Sequence, residues 1–351
     1  MDTANQWPAI MALPVDGELK DVAPPAIIAD RVGKSRGARR PPLSRLSFRV
    51  AQGEIFGLIG PPGAGKTALL QLFATLTVPD TGRLHLLGHD VQTPASLARR
   101  ELGYMSQIGG IDPVLTGEEH LRLAGRLRGL GRREAARRAV ELLTQLDLGS
   151  LANYRVSLYP IGARRRLALA GALVARPRLL LLDDPTGDLP ARERQMIWAI
   201  VRQIRAEERT TTVLATHHLD EAESLCERVG ILDAGRLIAL GSPAELQAQV
   251  SGATVSIHLA AGSDTATATY LIERLTGVRS VWSRPDRLEA QVTSAHTLPS
   301  MLRLLEEHEI TVCQATVSKP SLDQVFFRHT GRTLRDAQLP RVVGTGAPGT
   351  R

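Results

Sequence analysis

A glycine-rich run from residue 60 to residue 67 has the residue types and spacing of a phosphate-binding loop. The run is Gly60, Pro61, Pro62, Gly63, Ala64, Gly65, Lys66 and Thr67, which fits the pattern G-x-x-x-x-G-K-[ST]. Glycines allow backbone N–H groups to close around phosphate oxygens, and a following helix adds a partial positive charge. We expect Lys66 to reach the outer phosphates of a nucleotide and the Thr67 hydroxyl to bind Mg²⁺. The lysine is informative because only four of the 43 basic residues are lysines.

Two adjacent carboxylates, Asp183 and Asp184, follow the apolar run of residues 179–182. By themselves such residues are more often solvated acids in a turn that ends a strand. Together with the phosphate-binding loop they predict an acidic site on the Mg²⁺ side of a nucleotide. Asp183 would then hold the metal through water, and Asp184 would act as the base that orients the attacking water.

The elements around these residues alternate between strands and helices. Residues 54–59 have the pattern of a strand, and residues 67–76 after the loop have apolar residues at helical spacing. Further along, residues 178–182 and 211–215 are predicted strands, with a helix over 193–208 between them. Strands separated by helical crossovers predict an α/β fold in which a mostly parallel sheet is covered by helices on both faces.

Beyond about residue 250 the order of predicted elements changes. Strand, helix, strand, strand, helix and strand follow one another to about residue 330, which is the pattern of a small ferredoxin-like α+β domain. We therefore divide the chain into a nucleotide-binding domain over 26–249, with an inserted helical subdomain over about 108–165, and an accessory domain over 250–335. Residues 1–25 and 336–351 are predicted to be disordered.

With these motifs in place, the chain resembles the ATP-binding cassette (ABC) family of P-loop NTPases, specifically the ATPase subunits of drug-resistance exporters of the daunorubicin class. Residues 103–107 are similar to the family's Q-loop, which implies that Gln107 contacts Mg²⁺ and senses the membrane partner. Residues 215–222 resemble the switch region, which implies that His217 meets the γ-phosphate. Residues 320–327 resemble the motif that closes the accessory domain in this exporter class.

Several positions depart from the family's pattern. The signature segment, which closes the partner's nucleotide site in a cassette dimer, commonly has a serine and two glycines, but here Pro160 replaces the serine and Ile161 the first glycine. Proline has neither hydroxyl nor N–H, and isoleucine adds a branched side chain where backbone must approach phosphate. Asp184 stands where the family has a glutamate, Pro190 where it has an aspartate, and Val32 aligns with the aromatic residue that stacks on adenine. We therefore expect nucleotide binding with slow turnover.

The composition narrows the function classes. The net charge of +7 permits phosphate, anionic lipid or nucleic-acid ligands. Because aromatic residues make up only 3% of the chain, a base-stacking platform is lacking and we expect no nucleic-acid partner. We expect a cytoplasmic protein, since the chain has neither a long uncharged apolar run nor a secretory pattern at its start. The two cysteines have no metal-ligand spacing.

The resemblance implies an ATP-binding subunit of an ABC exporter, peripheral on the inner face of the cell membrane and docked on a separate polytopic subunit through its helical subdomain. It would bind Mg-ATP, pair with a second cassette as a homodimer or heterodimer, and couple closure of the pair to transport. The alternative is a catalytically degenerate ABC protein that acts as an ATP-sensing regulatory or scaffold subunit. The motifs do not identify the transported molecule, because its contacts would lie in the membrane subunit.

Overall fold

The computed structural model describes residues 25–334 except 36, 38–41, 93–95, 108–109, 188, 251, 261, 285–286 and 319–320. The predicted disordered ends therefore lie outside the described residues, apart from Pro25. The strands are β1 (Ile27–Lys34), β2 (Leu43–Val50), β3 (Ile55–Ile59), β4 (Thr81–Leu86), β5 (His89–Asp90), β6 (Leu102–Met105), β7 (Leu179–Asp183), β8 (Thr211–Thr216), β9 (Arg228–Asp233), β10 (Arg236–Gly241), β11 (Ala253–Leu259), β12 (Val278–Arg284), β13 (Arg287–Val292) and β14 (Val312–Ser318). The α-helices are α1 (Lys66–Phe73), α2 (Ser96–Arg100), α3 (Gly117–Leu127), α4 (Arg132–Gln145), α5 (Ile161–Leu173), α6 (Ala191–Glu208), α7 (Leu219–Leu225), α8 (Pro243–Ala248), α9 (Thr265–Glu273), α10 (Leu298–Glu307) and α11 (Leu322–Thr330).

The central sheet has six strands in the order β10-β9-β3-β8-β7-β6. All neighbouring strands pair in parallel except β9 and β10, which form an antiparallel hairpin. Every residue of β3, β7 and β8 is buried, as expected for strands covered on both faces. The predicted mostly parallel sheet is therefore confirmed. Parallel strands end at a common edge, so the segments that follow β3, β6, β7 and β8 meet there.

A second, antiparallel sheet has the order β2-β1-β4-β5 and packs beside the central sheet. Phe48 on β2 stacks on Phe56 of β3, with ring centroids 5.4 Å apart, and meets Phe73 of α1 edge-on at 6.1 Å. Val32 on β1 is fully buried in the same core. Its side chain therefore offers no surface to an adenine ring.

Helices α3 and α4 lie within the range predicted for the helical subdomain, residues 108–165, whereas α5 begins inside that range and continues to Leu173. Helix α3 begins at a capping box, because Thr116 Oγ1 accepts a hydrogen bond from the Glu119 N–H while the Glu119 carboxylate accepts one from the Thr116 N–H. The three helices bury leucines in a core that continues onto one face of the central sheet. Several large apolar side chains nevertheless remain exposed here, among them Leu127 at 78% and Leu158 at 69%.

Residues 253–318 contain the third sheet, whose strands are antiparallel in the order β12-β13-β11-β14. It has a core of its own, to which α9 contributes Ile272 and α10 contributes Leu305. The order of elements along the chain and the order of strands in the sheet are both those of a ferredoxin-like fold, so this prediction is confirmed.

Helix α11 leaves the third sheet and returns to the central one. It packs on α8, and its Phe326 is fully buried in the core that covers the central sheet. Just beyond the helix, Arg332 Nη2 lies 2.8 Å from Asp233 Oδ1 at the end of β9. The segment predicted to close the accessory domain thus ties it to the rest of the chain, although Pro320 lies outside the described residues. Within the described ranges, no helix combines the length and apolar character needed to cross a membrane.

Candidate nucleotide-binding site

The glycine-rich loop leaves β3 at Ile59 and enters α1 at Lys66, which is the strand-loop-helix context that the motif requires. Gly60 has a φ of 155°, and a Cβ there would lie 2.2 Å from the Leu232 carbonyl oxygen, so only glycine fits this close approach. Gly65 has a φ of 118° and precedes the helix. The first turn of α1 therefore presents its N-terminal N–H groups at the carboxyl edge of the central sheet.

The Lys66 amine lies folded over the loop. Its Nζ donates hydrogen bonds to the Gly60 carbonyl oxygen at 2.6 Å and to the Pro61 carbonyl oxygen at 3.1 Å. Burial lowers the pKa of Lys66 to about 8, although the nearby Asp184 and Asp183 carboxylates act in the opposite direction. A phosphate group at this position would supply the negative charge that the two carbonyls lack.

Thr67 and Asp183 meet beside the loop. Thr67 Oγ1 donates a hydrogen bond to Asp183 Oδ1 at 3.1 Å. Burial raises the pKa of Asp183 despite this hydrogen bond. Its other oxygen, Oδ2, is buried and accepts no well-aligned hydrogen bond within the described residues, although the Tyr104 phenol lies beside the carboxylate. A hydroxyl beside a carboxylate with an unused buried oxygen is a donor set that fits Mg²⁺, which prefers oxygen ligands.

The Asp184 side chain lies between Gln107 and His217, the other two residues predicted for this site. Its backbone has a φ of 51°, and its N–H donates to the Ala215 carbonyl oxygen of β8 at 2.8 Å. The side-chain Oδ2 accepts a hydrogen bond from Gln107 Nε2 at 3.2 Å, and Oδ1 lies 3.3 Å from His217 Nδ1. The structure thus brings residues from the ends of β6, β7 and β8 into contact.

The electrostatic surroundings keep the Asp184 carboxyl ionised. Burial alone would raise its pKa, but contact with His217 and the nearby charges of His218 and Lys66 outweigh burial, and the pKa is lowered overall. A carboxylate that remains ionised can accept a proton from water. Asp184 therefore has the charge state that a general base needs.

The signature segment forms the start of α5. Pro160 is the N-cap and makes no side-chain capping hydrogen bond, and Ile161 is 63% exposed. At Gly162 a Cβ would lie 2.2 Å from Glu193 Oε2, and that same carboxylate oxygen pairs with Arg166 at 2.7 Å. The glycine that remains in this segment thus allows α5 and α6 to pack closely. The helix survives the substitutions, but its first turn carries no serine hydroxyl.

The loop after Asp184 leads into α6. Leu189 is buried, and Pro190 is the N-cap of α6, where it makes no side-chain capping hydrogen bond. Asp188 lies outside the described residues.

A buried hydrogen-bond network behind the site was not predicted. Glu221 in α7 is fully buried, and its Oε1 accepts hydrogen bonds from Thr186 Oγ1 and Trp198 Nε1, both at 3.0 Å. It joins the loop that follows Asp184 to the switch segment and to α6. In the sequence, Glu221 looks like a solvated acid in the first turn of a helix, so no local signal distinguishes it.

Tyr104 is a second residue whose role was not predicted. It belongs to the segment of residues 103–107, in which only Gln107 was assigned a function. Burial and the adjacent Asp183 charge raise its pKa to about 12. Its phenol therefore stays protonated beside the carboxylate that would hold the metal.

Comparison with known proteins agrees with this geometry. The family model described as "ABC transporter" matches residues 43–187. The chain is 38% identical to the daunorubicin resistance ATP-binding protein DrrA3 of Streptomyces coeruleorubidus, over 90% of this chain and 98% of that protein. It is 36% identical to the Nod factor export ATP-binding protein I of Rhizobium leguminosarum bv. viciae, over 91% of this chain and 99% of that protein.

Solved structures share the fold. A dimeric bacterial ABC transporter cassette superposes with a TM-score of 0.57 at 24% identity, covering 62% of this chain and 98% of that one. An ATP-binding subunit of an ABC transporter gives the same TM-score at 26% identity, covering 64% of this chain and 92% of that one. The chain belongs to the ABC transporter family, as an ATP-binding protein of the kind found in drug-resistance and export systems.

Proposed function

We propose that the chain binds Mg-ATP at residues 60–67 and uses closure of two cassettes to drive export through a separate membrane subunit. The observation that carries this proposal is the convergence of Lys66, the Thr67–Asp183 pair and the Gln107–Asp184–His217 contacts at one edge of the central sheet. The names of the relatives, which describe drug resistance and Nod factor export, support a role in export.

Lys66 would exchange its two carbonyl acceptors for phosphate oxygens, while the backbone of residues 60–65 surrounds the phosphates. Thr67, Gln107 and Asp183 would hold Mg²⁺, whose charge neutralises the phosphate groups. The buried Asp183 Oδ2 supports this assignment, because an unpaired carboxylate oxygen is costly away from water unless a cation is present.

Asp184 would accept the proton of the attacking water, and His217 would contact the γ-phosphate. The hydrogen bond from Gln107 Nε2 orients the Asp184 carboxylate and links it to the segment proposed to sense the membrane subunit. Compared with the family's glutamate, Asp184 is one methylene shorter. A displacement of about 1 Å in a catalytic group can cost on the order of 10²-fold in rate, so we propose slow hydrolysis.

In a cassette dimer, the signature segment of this chain would bind the partner's nucleotide only weakly. Pro160 supplies no hydroxyl, and each charge-assisted hydrogen bond that is lost is worth about 1.5–3 kcal/mol. Both nucleotide sites of a homodimer would be closed by such a weak signature segment. Pairing with a cassette of normal signature would complete the site that contains Lys66, so a heterodimer is favoured.

The partner in the membrane would dock on the helical subdomain. Val114, Leu123, Leu127, Tyr154 and Leu158 are large apolar side chains left exposed in this region. A docked subunit would cover them and hold the chain at the inner face of the cell membrane. In this proposal residues 26–249 are the ATP-binding domain, with the helical subdomain at about 108–165, and residues 250–335 the accessory domain.

Repair of the signature tests the proposal. Purified wild-type chain should bind Mg-ATP with little turnover, whereas Pro160→Ser combined with Ile161→Gly should raise phosphate release by the isolated chain by about tenfold or more, since one restored hydrogen bond is worth about 1.5–3 kcal/mol. The matched control is Pro160→Ala with Ile161→Gly, which removes the ring and the branched side chain without adding the hydroxyl. Brisk hydrolysis by the wild-type chain, or equal gains in the two double variants, would contradict the proposal.

A further inference from the structure

A cluster of nitrogen and oxygen donors lies next to the residues proposed for magnesium. Asp184, His217 and His218 each offer one potential metal-ligand atom, and these atoms all lie within 4.8 Å of one another. Asp184 is buried and the two histidines are half-buried, so the cluster is not a solvated surface group. Two imidazoles with one carboxylate form a donor set that selects zinc-like transition metals over Mg²⁺.

One ligand–ligand distance in the cluster matches that of a tetrahedral site. Zinc binds histidine nitrogen and carboxylate oxygen at about 2.0–2.2 Å, which places two ligands of a tetrahedron about 3.4 Å apart. Asp184 Oδ1 and His217 Nδ1 are 3.3 Å apart. The separation of these two atoms, which form a hydrogen bond without metal, thus equals one edge of a tetrahedron, and a ligand atom of His218 lies within 4.8 Å of both.

The His218 ring is held in the tautomer that a metal ligand requires. Its Nε2 lies 2.8 Å from the Gly187 carbonyl oxygen, which can only accept a hydrogen bond, so Nε2 carries the proton. The lone pair is then on Nδ1. A backbone carbonyl that accepts from the second ring nitrogen is the usual support for a metal-bound histidine. The ring also lies against His217, with centroids 4.1 Å apart.

We propose that Asp184, His217 and His218 form an inhibitory site for a zinc-like divalent ion, separate from the site of the nucleotide's Mg²⁺. An occupied site would hold the carboxylate and the histidine that hydrolysis needs, and the fourth coordination position would be left to water. The inhibitory part rests on the proposed function, whereas metal binding itself does not.

The direct test uses nucleotide-free full-length chain titrated with Co²⁺, whose visible absorption reports tetrahedral coordination, followed by displacement with Zn²⁺. One equivalent of tetrahedral Co²⁺ is expected. His218→Gln should weaken binding by about 100-fold or more, since loss even of an outer hydrogen-bond partner costs 10–100-fold. Glutamine can still donate to the Gly187 carbonyl, so the loop keeps its hydrogen bond. Asp184→Asn is the second variant and should also weaken binding.

The matched controls are His258→Gln in the accessory domain and Cys313→Ser at the exposed thiol, and both should leave the titration unchanged. A Co²⁺ band that survives in both His218→Gln and Asp184→Asn, or the absence of any tetrahedral band, would overturn the proposal. In a separate arm, Zn²⁺ should inhibit phosphate release less in His218→Gln than in the wild type. Because the titration contains no nucleotide, failure of ATP binding and failure of the metal site are distinguished.

Discussion

Raising the pH should weaken ATP binding through Lys66. In the nucleotide-free chain, burial lowers the pKa of this amine to about 8 from its usual 10.5. A bound triphosphate would place negative charge beside the amine and favour its protonated form, so the bound state has the higher pKa. Binding above pH 8 must then take up a proton, and affinity falls as the pH rises through the free-state value.

The size of the effect follows from that value. With a pKa of about 8, roughly 90% of Lys66 is protonated at pH 7 and roughly 10% at pH 9, provided that the bound state stays protonated throughout. The dissociation constant should therefore rise about tenfold between pH 7 and pH 9, which corresponds to about 1.4 kcal/mol.

Calorimetric titration with Mg-ATP at pH 7, 8 and 9 measures this dependence. Lys66→Arg is the matched control, because a guanidinium group keeps its charge over the whole range and should bind with nearly constant affinity. An affinity that does not change with pH in the wild type, or the same slope in the arginine variant, would show that Lys66 does not cause the pH dependence.

Three further substitutions test the roles of Asp184, Glu221 and Phe326. Asp184→Glu should raise phosphate release in the assembled complex by on the order of tenfold, because the longer side chain restores the family's reach, and an unchanged rate would count against Asp184 as the base. Glu221→Ala should lower the free energy of unfolding by about 2–5 kcal/mol, since it leaves the buried Thr186 and Trp198 donors unpaired. Urea denaturation measures this free energy, and a loss below about 1 kcal/mol would argue against a stabilising role of the hydrogen-bond network. Phe326→Ala should destabilise the ATP-binding domain by about 3–5 kcal/mol in a thermal unfolding experiment, because its ring is fully buried in that domain's core, and an effect confined to the accessory domain would contradict this packing.

The sequence predicted the features that depend on local chemistry. The phosphate-binding loop and the ends of β7 and β8 were located to within a residue or two, because apolar runs and glycine spacing are local signals. Helix α1 was predicted to extend to Leu76 but ends at Phe73, since Thr75 adopts a positive φ of 56°. Strand β4 was missed because its residues mix glycine, arginine and histidine with the leucines that face the core.

Sequence patterns do not predict features that depend on contacts between residues far apart in the chain. The burial of Glu221 arises from partners 23 and 35 residues away in the chain. The return of α11 to the central sheet relies on contacts such as Arg332 with Asp233, which are 99 residues apart. The burial of Val32 depends on how β1 faces the core, which an alignment of motifs does not determine.

We propose that this chain binds ATP firmly and hydrolyses it poorly without a partner cassette of normal signature. The most direct test is to incubate the purified chain with Mg-ATP, remove free nucleotide, and identify the bound nucleotide over time by chromatography. We expect about one equivalent of intact ATP on the wild type and none on Lys66→Ala. A wild-type chain that retains no nucleotide, or that converts its ATP to ADP within a few seconds, would contradict this proposal.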